Sequence, residues 1–269
     1  MIAGTAEPGW FAGLTQFSPE DYGWQEGRLV AHGTVHDTGA NPTAGLAGFI
    51  VKHVYADHNS SRAVERALHP LLETLRHSPD KVGLNFGAGG VRLNPRILNL
   101  DVQNKDHIDL VSNGGKIPLK DQAVDLVITQ EVLEHIGDYE GAVQELARVL
   151  KPGGTIYCQL PFQIGFHPGP WDYRRFSRHG MQWLFRSDQW DIETVGVAVG
   201  HGTALYRIFV EFMAVTASAL HRGLYRPAKG LAAILLYPLK LFDGLTERSE
   251  EKDRIAGGYY LIAKRTSCR

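Results

Sequence analysis

Four short apolar runs in the middle of the chain constrain its fold more than any other feature. They cover residues 82–86, 97–100, 124–129 and 155–160, and the first three end at Gly87, Asp101 and Gln130. Runs of this length suit strands that are buried on both faces. Amphipathic helices are predicted at 60–76 and 138–150, with Ser60 or Ser61 and Asp138 as their N-caps. Strands that alternate with helices predict an α/β fold with a doubly wound, mostly parallel sheet.

The rest of the chain shows weaker patterns, which predict caps around this core. Residues 1–45 read as irregular, and we expect a cap segment over 1–60, a core over 61–200, and a helical cap insertion with a final core strand over 201–269. The smaller predicted elements are a helix at 179–185, a strand at 193–199, apolar helical stretches at 205–220 and 231–242, and a last strand at 258–264.

Composition argues against several classes of protein. The 269 residues hold 28 Lys or Arg and 29 Asp or Glu, and a net charge of −1 gives no general attraction to nucleic acid. The two cysteines, Cys158 and Cys268, cannot form a disulfide framework, which favours a reducing compartment. The first residues show no secretory signal, so we expect a cytoplasmic protein. No uncharged apolar run reaches the roughly 18 residues of a membrane span.

The ends of the predicted strands carry residues that suit a nucleotide-like ligand. In open parallel sheets, ligands bind beyond the carboxyl ends of the strands. The glycines of residues 87–90 would let the backbone approach a ligand closely. Asp101 could accept hydrogen bonds from both hydroxyls of a ribose, and the amide of Asn113, beside Gly114, could meet the edge of an adenine.

The order of these motifs is typical of one family. The Gly-rich turn, Asp101, VLEHI at 132–136 and RVLKPGG at 148–154 follow one another as they do in the class I S-adenosylmethionine-dependent methyltransferases of type 11, which the chain resembles from about 82 to 162. Segments at 161–177 and 256–260 resemble a subgroup found near polysaccharide biosynthesis genes. The resemblance implies a Rossmann-like fold, S-adenosylmethionine as cofactor, and methyl transfer to an oxygen or nitrogen of a small molecule or sugar.

The resemblance also implies roles for single residues. Gly87 and Gly89 would lie against the methionine part of the cofactor, Asp101 would hold the ribose, and Asn113 and Gly114 would flank the adenine. The remaining predicted cofactor contacts are Gln130 under the sulfonium, Tyr55 from the N-terminal cap, and Asn85, Ala88 and Val102 beside the turn and the ribose.

The chain departs from the family pattern at several positions. Asn85 replaces an acidic residue two positions before the first glycine, Val91 replaces the last glycine, and Asn113 replaces the usual acidic adenine contact. About ten residues separate Gly90 from Leu100, which is too short for the usual crossover helix.

The loop after the last apolar run supplies the candidate catalytic residues. His167 could take a proton from a hydroxyl or amine nucleophile, and the alternative is a structural hydrogen bond. Asp172 and Arg175 would hold a polar substrate or pair with each other to shape the loop. Glu134 and His135 read as an acid–base pair or, as we prefer, as residues that brace a loop.

The remaining histidines and aromatic residues have open roles. Trp171, Tyr173 and Phe176 suit packing in a lid better than a stacking platform for a substrate. No metal site is predicted, because His53, Asp57 and His58 do not share a helix face. Another group, His32, His36 and Asp37, is an equally weak candidate for metal binding.

Three further alternatives concern function and partners. The C-terminal apolar stretches from 205 to 242 carry several basic residues, so they could lie on a membrane surface, as would suit a lipid-linked glycan; a helical cap or a homodimer face is the preferred alternative. The methyltransferase fold could use its cofactor for other chemistry. A non-catalytic protein that docks on a membrane or a partner is the third alternative.

Overall fold

The computed structural model describes residues 11–25, 28–32, 61–89 and 92–267, and all structural statements below concern these residues. The strands are β1 Tyr22–Gln25, β2 Arg28–Ala31, β3 Gly83–Phe86, β4 Ile97–Asp101, β5 Leu110–Val111, β6 Val124–Gln130, β7 Leu150–Pro161, β8 Trp190–Val199 and β9 Gly258–Arg265. The α-helices are α1 Arg62–Arg76, α2 Tyr139–Val149, α3 Arg178–Leu184, α4 His201–Leu220, α5 Tyr225–Leu235 and α6 Asp243–Thr246. Short 3₁₀ helices cover Ala12–Leu14, Leu133–His135, Arg222–Leu224, Tyr237–Phe242 and Lys252–Arg254.

The nine strands form one sheet in the order β1-β2-β5-β4-β3-β6-β7-β9-β8. The five central strands, from β5 to β7, are parallel, whereas β9 runs antiparallel to both of its neighbours. The chain moves outward from β3 to β5 and then returns to β6 on the other side of β3. The carboxyl ends of β3 and β6 therefore flank a topological switch point, where open sheets of this kind bind ligands. The predicted α/β fold with a mostly parallel, doubly wound sheet is confirmed.

The two main helices form where the sequence predicts them and cover opposite faces of the sheet. Ser61 Oγ accepts from the amide of Val64, and the Asp138 side chain accepts from the amide of Gly141, so both helices have side-chain N-caps. Val64, Leu68 and Leu75 of α1 pack in a cluster on one face. On the other face, α2 and α3 pack with the larger cluster, in which α2 contributes Ala142, Val143, Leu146, Ala147 and Val149.

The connection between β3 and β4 contains no helix in its described part, residues 87–89 and 92–96. This agrees with the short spacing in the sequence. Arg92 holds the far end of the connection, because its guanidinium donates to both oxygens of Asp109 at 2.9 Å and to the carbonyl of Ile97 at 3.0 Å.

Arg148, the first residue of the RVLKPGG motif at 148–154, has a structural role. The Arg148 guanidinium donates to the carbonyls of Ile117 and Leu119 at 2.8 Å and to both oxygens of Glu145 at 2.8 Å. The other partner of Glu145 is the amide of Ile117, at 2.9 Å. These bonds fix the segment before β6 against α2.

The prediction that residues 1–45 are irregular is wrong for 22–25 and 28–31. These residues form β1 and β2, and β2 extends the sheet by pairing in parallel with β5 at Leu29–Leu110 and Val30–Val111. Leu29 and Val30 are buried at this edge. Strands of four residues leave too little alternation to be distinguished from loop by periodicity.

The C-terminal helices lie between β8 and β9. The helix predicted at 205–220 begins earlier, at His201, and the stretch predicted at 231–242 divides into α5 and the 3₁₀ helix Tyr237–Phe242. Tyr206 and Val210 of α4 pack on Ala232 and Ala233 of α5.

Candidate functional site

The Gly-rich turn follows β3 directly at the switch point. The amides of Gly87 and Ala88 both donate to the carbonyl of Leu100, at 2.8 and 3.0 Å, so the turn is fastened to β4. Gly87 has a φ of +75° and Gly89 a φ of +59°, in the left-handed region that favours glycine. A Cβ at Gly87 would come within 2.2 Å of Val132 Cγ2, whereas a Cβ at Gly89 would meet no atom of the described residues within 4 Å. As far as these residues show, the outer side of the turn has space for a ligand.

The carboxylate of Asp101 is held at the end of β4 by the turn itself. Its Oδ2 accepts from the amide of Gly89 at 2.8 Å, and its Oδ1 accepts from the amide of Gln103 at 2.9 Å. A carboxylate offers about four lone-pair positions, so each oxygen can accept a second hydrogen bond. Val102 follows at the same edge and is half-buried. This geometry suits the predicted binding of two vicinal hydroxyls.

Asn113 and Gly114 lie just after β5, beside the end of β4. The amide of Ser112 donates to the carbonyl of Asp101 at 2.9 Å, which joins the two segments. Asn113 is exposed, and its Oδ1 accepts from the amide of Gly115 at 3.0 Å, so its NH₂ group is left to act as donor. Gly114 has a φ of +80°, and a Cβ there would come within 2.7 Å of the Phe86 ring.

Tyr22 braces the segment from Ser112 to Lys116, a role that was not predicted from the sequence. Its hydroxyl lies 2.9 Å from Ser112 Oγ and donates to the carbonyl of Lys116 at 2.9 Å. The contact comes from β1, within the region predicted to be irregular. An isolated tyrosine in such a segment gives no sequence signal for this role.

The end of β6 carries a polar network beside the turn. Gln130 donates through Nε2 to Gln159 Oε1 at 3.2 Å, and the Tyr157 hydroxyl donates to the same oxygen at 3.1 Å. Glu131 has a φ of +54°, a strained conformation for a residue with a side chain. Its carboxylate contacts Gln159, since Gln159 Nε2 lies 3.5 Å from Glu131 Oε1. Glu131 was not among the predicted site residues.

The other predicted cofactor contacts have different environments. Asn85 is buried within β3, and its Nδ2 lies 3.4 Å from Asn99 Oδ1 of β4. Ala88 is buried in a small cluster with Val30, Ile108 and Val111. Tyr55 lies outside the described residues, as do His36, Asp37, His53, Asp57 and His58. The roles of these residues toward a cofactor stay predictions, as do those of the contacts predicted at the turn and the other strand ends.

An ion pair shapes the loop that follows β7. The Arg175 guanidinium contacts both oxygens of Asp172, with an NH2–Oδ2 distance of 2.7 Å, and also donates to the carbonyls of Ile164 and Gly165 at 3.2 and 2.9 Å. Asp172 Oδ2 accepts from the amide of His167 at 2.8 Å. Arg175 holds the pKa of Asp172 at about 2. Of the two alternatives for Asp172 and Arg175, the structure shows the pairing, which gives them a positioning role around His167.

His167, His135 and Glu134 meet behind this loop. Glu134 Oε1 lies 3.6 Å from the Nε2 atoms of both His135 and His167. Glu134 is fully buried, and neither its carboxylate oxygens nor His167 Nε2 has a hydrogen-bond partner among the described residues. Buried polar atoms without hydrogen-bond partners are costly, and a catalytic role, local strain, or a bound water or ion accounts for those that native proteins retain.

His135 also braces the loop, in agreement with the preferred prediction for this residue. Its Nδ1 lies 2.5 Å from the carbonyl oxygen of Trp171. The main chain of Glu134 contributes too, because its carbonyl accepts from the amide of Tyr173 at 2.9 Å. The Glu134 side chain, in contrast, is directed to the two histidines.

The electrostatics of this cluster favour a proton on His167. Burial raises the pKa of Glu134, and the two histidines partly offset this. Burial lowers the pKa of His167, but the Glu134 carboxylate, the Gly165 carbonyl, Glu131 and Asp172 outweigh it, so the pKa of His167 is raised. The imidazole is therefore a stronger base than an isolated histidine.

The ligand atoms of the three residues lie within 4.8 Å of one another. At that spacing the three residues could bind a divalent metal ion, which is the alternative to a role in proton transfer. Sequence reasoning missed this grouping, because Glu134 and His167 are separated by two elements of the chain.

The turn supports a matched pair of substitutions. We expect Gly87→Ala to destabilise the protein by about 2–5 kcal/mol, combining the cost of a left-handed alanine, about 1–2 kcal/mol, with overpacking against Val132, about 1–3 kcal/mol. Gly89→Ala, the control, should cost only the conformational part, because its Cβ has space. Urea unfolding of both variants measures the difference, and equal losses would contradict the close packing of Gly87.

Comparisons with known proteins agree with the resemblance. Residues 88–158 match the family model of a methyltransferase domain. A probable S-adenosylmethionine-dependent methyltransferase of Mycolicibacterium smegmatis is 34% identical over 131 residues, which cover 46% of this chain and 48% of that protein. A demethylmenaquinone methyltransferase of Bacillus cereus is 29% identical over 102 residues, which cover 37% of this chain and 43% of that protein. The chain thus spans about half the length of the curated relatives it matches, or less.

Solved structures show similarity over most of the chain at low identity. The crystal structure of the cyclase SpnF is 17% identical, covers 79% of this chain and 85% of its own, and gives a TM-score of 0.49.

Proposed function

We propose that this chain, which carries a class I S-adenosylmethionine-dependent methyltransferase domain of the type-11 family, transfers a methyl group to a hydroxyl of a small molecule or sugar. The cofactor is S-adenosylmethionine, in agreement with the family match. The observation that carries the choice of a hydroxyl acceptor is the buried Nε2 of His167, which lies beside the Glu134 carboxylate and has no hydrogen-bond partner within the described part of the chain.

The residues of the turn and the strand ends fit the cofactor. The space beside Gly89 admits the methionine part, and Asp101 keeps one accepting position on each oxygen for a ribose hydroxyl. The free NH₂ group of Asn113 can donate to a ring nitrogen of adenine. When bound, S-adenosylmethionine supplies an activated methyl group that leaves its sulfur as the acceptor oxygen bonds to the methyl carbon.

His167 would act as the base in this reaction. Its Nε2 takes the hydroxyl proton as the oxygen–carbon bond forms, and the resulting imidazolium is stabilised by Glu134 at 3.6 Å. Asp172 and Arg175 position His167 through its amide and through the carbonyl of Gly165. Because most of the barrier in such a displacement depends on alignment, a rigid loop is as important as the base.

Exposed aromatic rings near His167 support a sugar or another compact acceptor. Phe166 and Trp171 are 78% and 60% exposed, and Tyr173 is 52% exposed, in the same loop. Such rings offer apolar faces for the C–H side of a sugar. Phe176, in contrast, is buried and packs edge to face on Tyr139, which agrees with a packing role.

The first test is calorimetric titration of the protein with S-adenosylmethionine and with S-adenosylhomocysteine. We expect binding in the micromolar range, because the site would contact the ribose hydroxyls, the adenine ring and, through the backbone of the turn, the methionine part of the cofactor. A screen of sugars and phenols for release of S-adenosylhomocysteine then identifies the acceptor, and proton NMR of the product locates the methyl group.

The outcomes distinguish the remaining alternatives. Cofactor binding with turnover of an acceptor but without S-adenosylhomocysteine would indicate non-methyl-transfer chemistry. A methyl group on carbon would contradict the role of His167 in deprotonating a hydroxyl. Folded protein that binds neither compound would favour a non-catalytic docking protein.

A further inference from the structure

The C-terminal helices expose an unusual amount of apolar surface. Fifteen of the twenty exposed large apolar side chains among the described residues lie between 205 and 245. On α4 they include Phe209, Phe212 and Met213, and Phe212 is 61% exposed. The exposed apolar face, as we call it, comprises Leu205, Ile208, Phe209, Phe212, Met213, Val215, Leu220, Leu224, Leu231, Ile234, Leu235, Tyr237, Leu241, Phe242 and Leu245.

This face is not the side by which the helices pack on the protein. The inner side of α4 buries Tyr206, Val210 and Ala214, with Ala232 and Ala233 of α5 against it. A helix that needed only to cap the sheet would carry polar residues on its other side. The preferred prediction of a packed helical cap therefore accounts for only half of the helix surface.

The charges around the face are mainly positive. Between residues 205 and 245 the sequence holds five Lys or Arg and two acidic residues, Glu211 and Asp243. Glu211 is neutralised by Lys229 and accepts a hydrogen bond from the Tyr225 hydroxyl at 2.7 Å. Arg222 and Arg226 are exposed at the turn between α4 and α5, beside Leu220 and Leu224. Basic residues that flank an apolar face complement a surface of negative charge.

We propose that the exposed apolar face docks on the surface of an anionic phospholipid membrane. The side chains of α4 and α5 enter the boundary between headgroups and acyl chains, and Arg222 and Arg226 contact the lipid phosphates. This inference does not depend on the proposed methyl transfer.

A surface position fits α4 better than a membrane span. Among the described residues α4 is the one helix long and apolar enough to cross a membrane, with a mean hydropathy of 1.3. It nevertheless carries Arg207, which is buried, and Glu211, which is bound to α5. A span would have to bring the attached α5 and its charges into the lipid.

A second copy of the chain fits the face less well. A twofold interface brings the same patch of two molecules together, so basic residues would meet basic residues. The two acids within the range of the face are already engaged, Glu211 by Lys229 and Asp243 by the amide and hydroxyl of Thr203.

Vesicle flotation tests the proposal with the full chain. We expect it to float with vesicles of phosphatidylcholine containing roughly a third phosphatidylglycerol, and at least about threefold less with phosphatidylcholine alone or in high salt. Phe212→Ser and Arg226→Glu should each lower the bound fraction about threefold or more. The controls are Trp183→Ser, which removes an aromatic ring that is 66% exposed outside the face, and Arg76→Glu, which reverses an exposed charge on α1.

Sedimentation velocity and cofactor titration on the same samples complete the test. Folded wild type that stays unbound to the anionic vesicles overturns the proposal. Equal effects of the face variants and their controls also overturn it. A dimer that Phe212→Ser dissociates, without a change in flotation, would assign the face to a second copy instead. If the variants keep their affinity for S-adenosylhomocysteine, a change in flotation reports on membrane docking alone and leaves the proposed methyl transfer untouched.

Discussion

Replacement of His167 by alanine is expected to lower kcat by about a hundredfold to ten-thousandfold, the range typical of a lost general base. Affinity for S-adenosylhomocysteine should change by no more than about twofold, because His167 lies in the loop after β7, whereas the proposed cofactor contacts among the described residues lie at the ends of β3, β4, β5 and β6. Single-turnover release of S-adenosylhomocysteine with the acceptor found in the screen measures the first quantity, and calorimetry measures the second. Unaltered turnover would leave His167 a structural residue.

The pH dependence of kcat/KM provides a second test of His167 as the general base. The base must be neutral to accept a proton, so activity should rise with pH through the raised pKa of His167. The charged groups around it are Glu134, Glu131, Asp172 and Arg175, with His135 ring to ring at a centroid distance of 5.2 Å. Glu134→Gln removes the carboxylate that raises this pKa, so the acid limb of the pH profile, where kcat/KM rises with pH, should move to lower pH. A purely structural Glu134 would leave the limb in place.

Two controls separate the base from its surroundings. Arg175→Lys keeps a charge near Asp172 but loses the fork that reaches Ile164 and Gly165, so kcat should fall with the acid limb unchanged. Dialysis against a chelator tests the metal alternative. Activity that is lost on chelation and restored by a divalent ion would replace the proton role of the cluster by metal binding.

Asp101→Ala is expected to weaken binding of S-adenosylhomocysteine by about a hundredfold or more. Two hydrogen bonds from hydroxyls to a carboxylate contribute about 3 kcal/mol or more together, and each 1.4 kcal/mol is about tenfold. The variant also frees the amides of Gly89 and Gln103, which loosens the turn. Titration calorimetry of the folded variant measures the loss.

Asp101→Asn provides the matched control. It keeps one oxygen acceptor for a backbone amide but loses the charge and half of the accepting capacity. We expect an intermediate loss of affinity with little loss of stability. If Asp101→Ala binds the cofactor as the wild type does, the assignment of the ribose to Asp101 is wrong.

The central elements could be predicted because local signals agree with the tertiary structure. The apolar runs at 82–86 and 124–129 are buried strands, and Ser61 and Asp138 cap the helices that cover them. In each case the burial pattern and the capping residue indicate the same element. The predicted strand ends therefore lie at one edge of the sheet, which places Gly87, Asp101 and Gln130 close together.

The parts that escaped prediction depend on contacts between distant segments. β5 has only two residues, and β1 and β2 have four each. Segments this short form strands only because they pair with neighbouring strands of the sheet. The Glu134 cluster is similar, since a carboxylate in VLEHI shows neither its full burial nor its approach to His167 in the sequence. Periodicity reports which face of an element is apolar, and it carries no information on which loops meet.

The connection from β3 to β4 bears on whether the site at the Gly-rich turn would bind an NAD-like dinucleotide. Its described residues, 87–89 and 92–96, form no helix, so this part of the connection supplies no helix N-terminus to the Gly-rich turn. Dinucleotide-binding folds rely on that N-terminus, whose partial positive charge stabilises the pyrophosphate. A turn without it lacks this source of positive charge, which would favour a pyrophosphate and disfavour a cationic sulfur. We therefore expect the site to bind S-adenosylmethionine more tightly than NAD-like ligands, with Asp101 as the expected ribose contact for both.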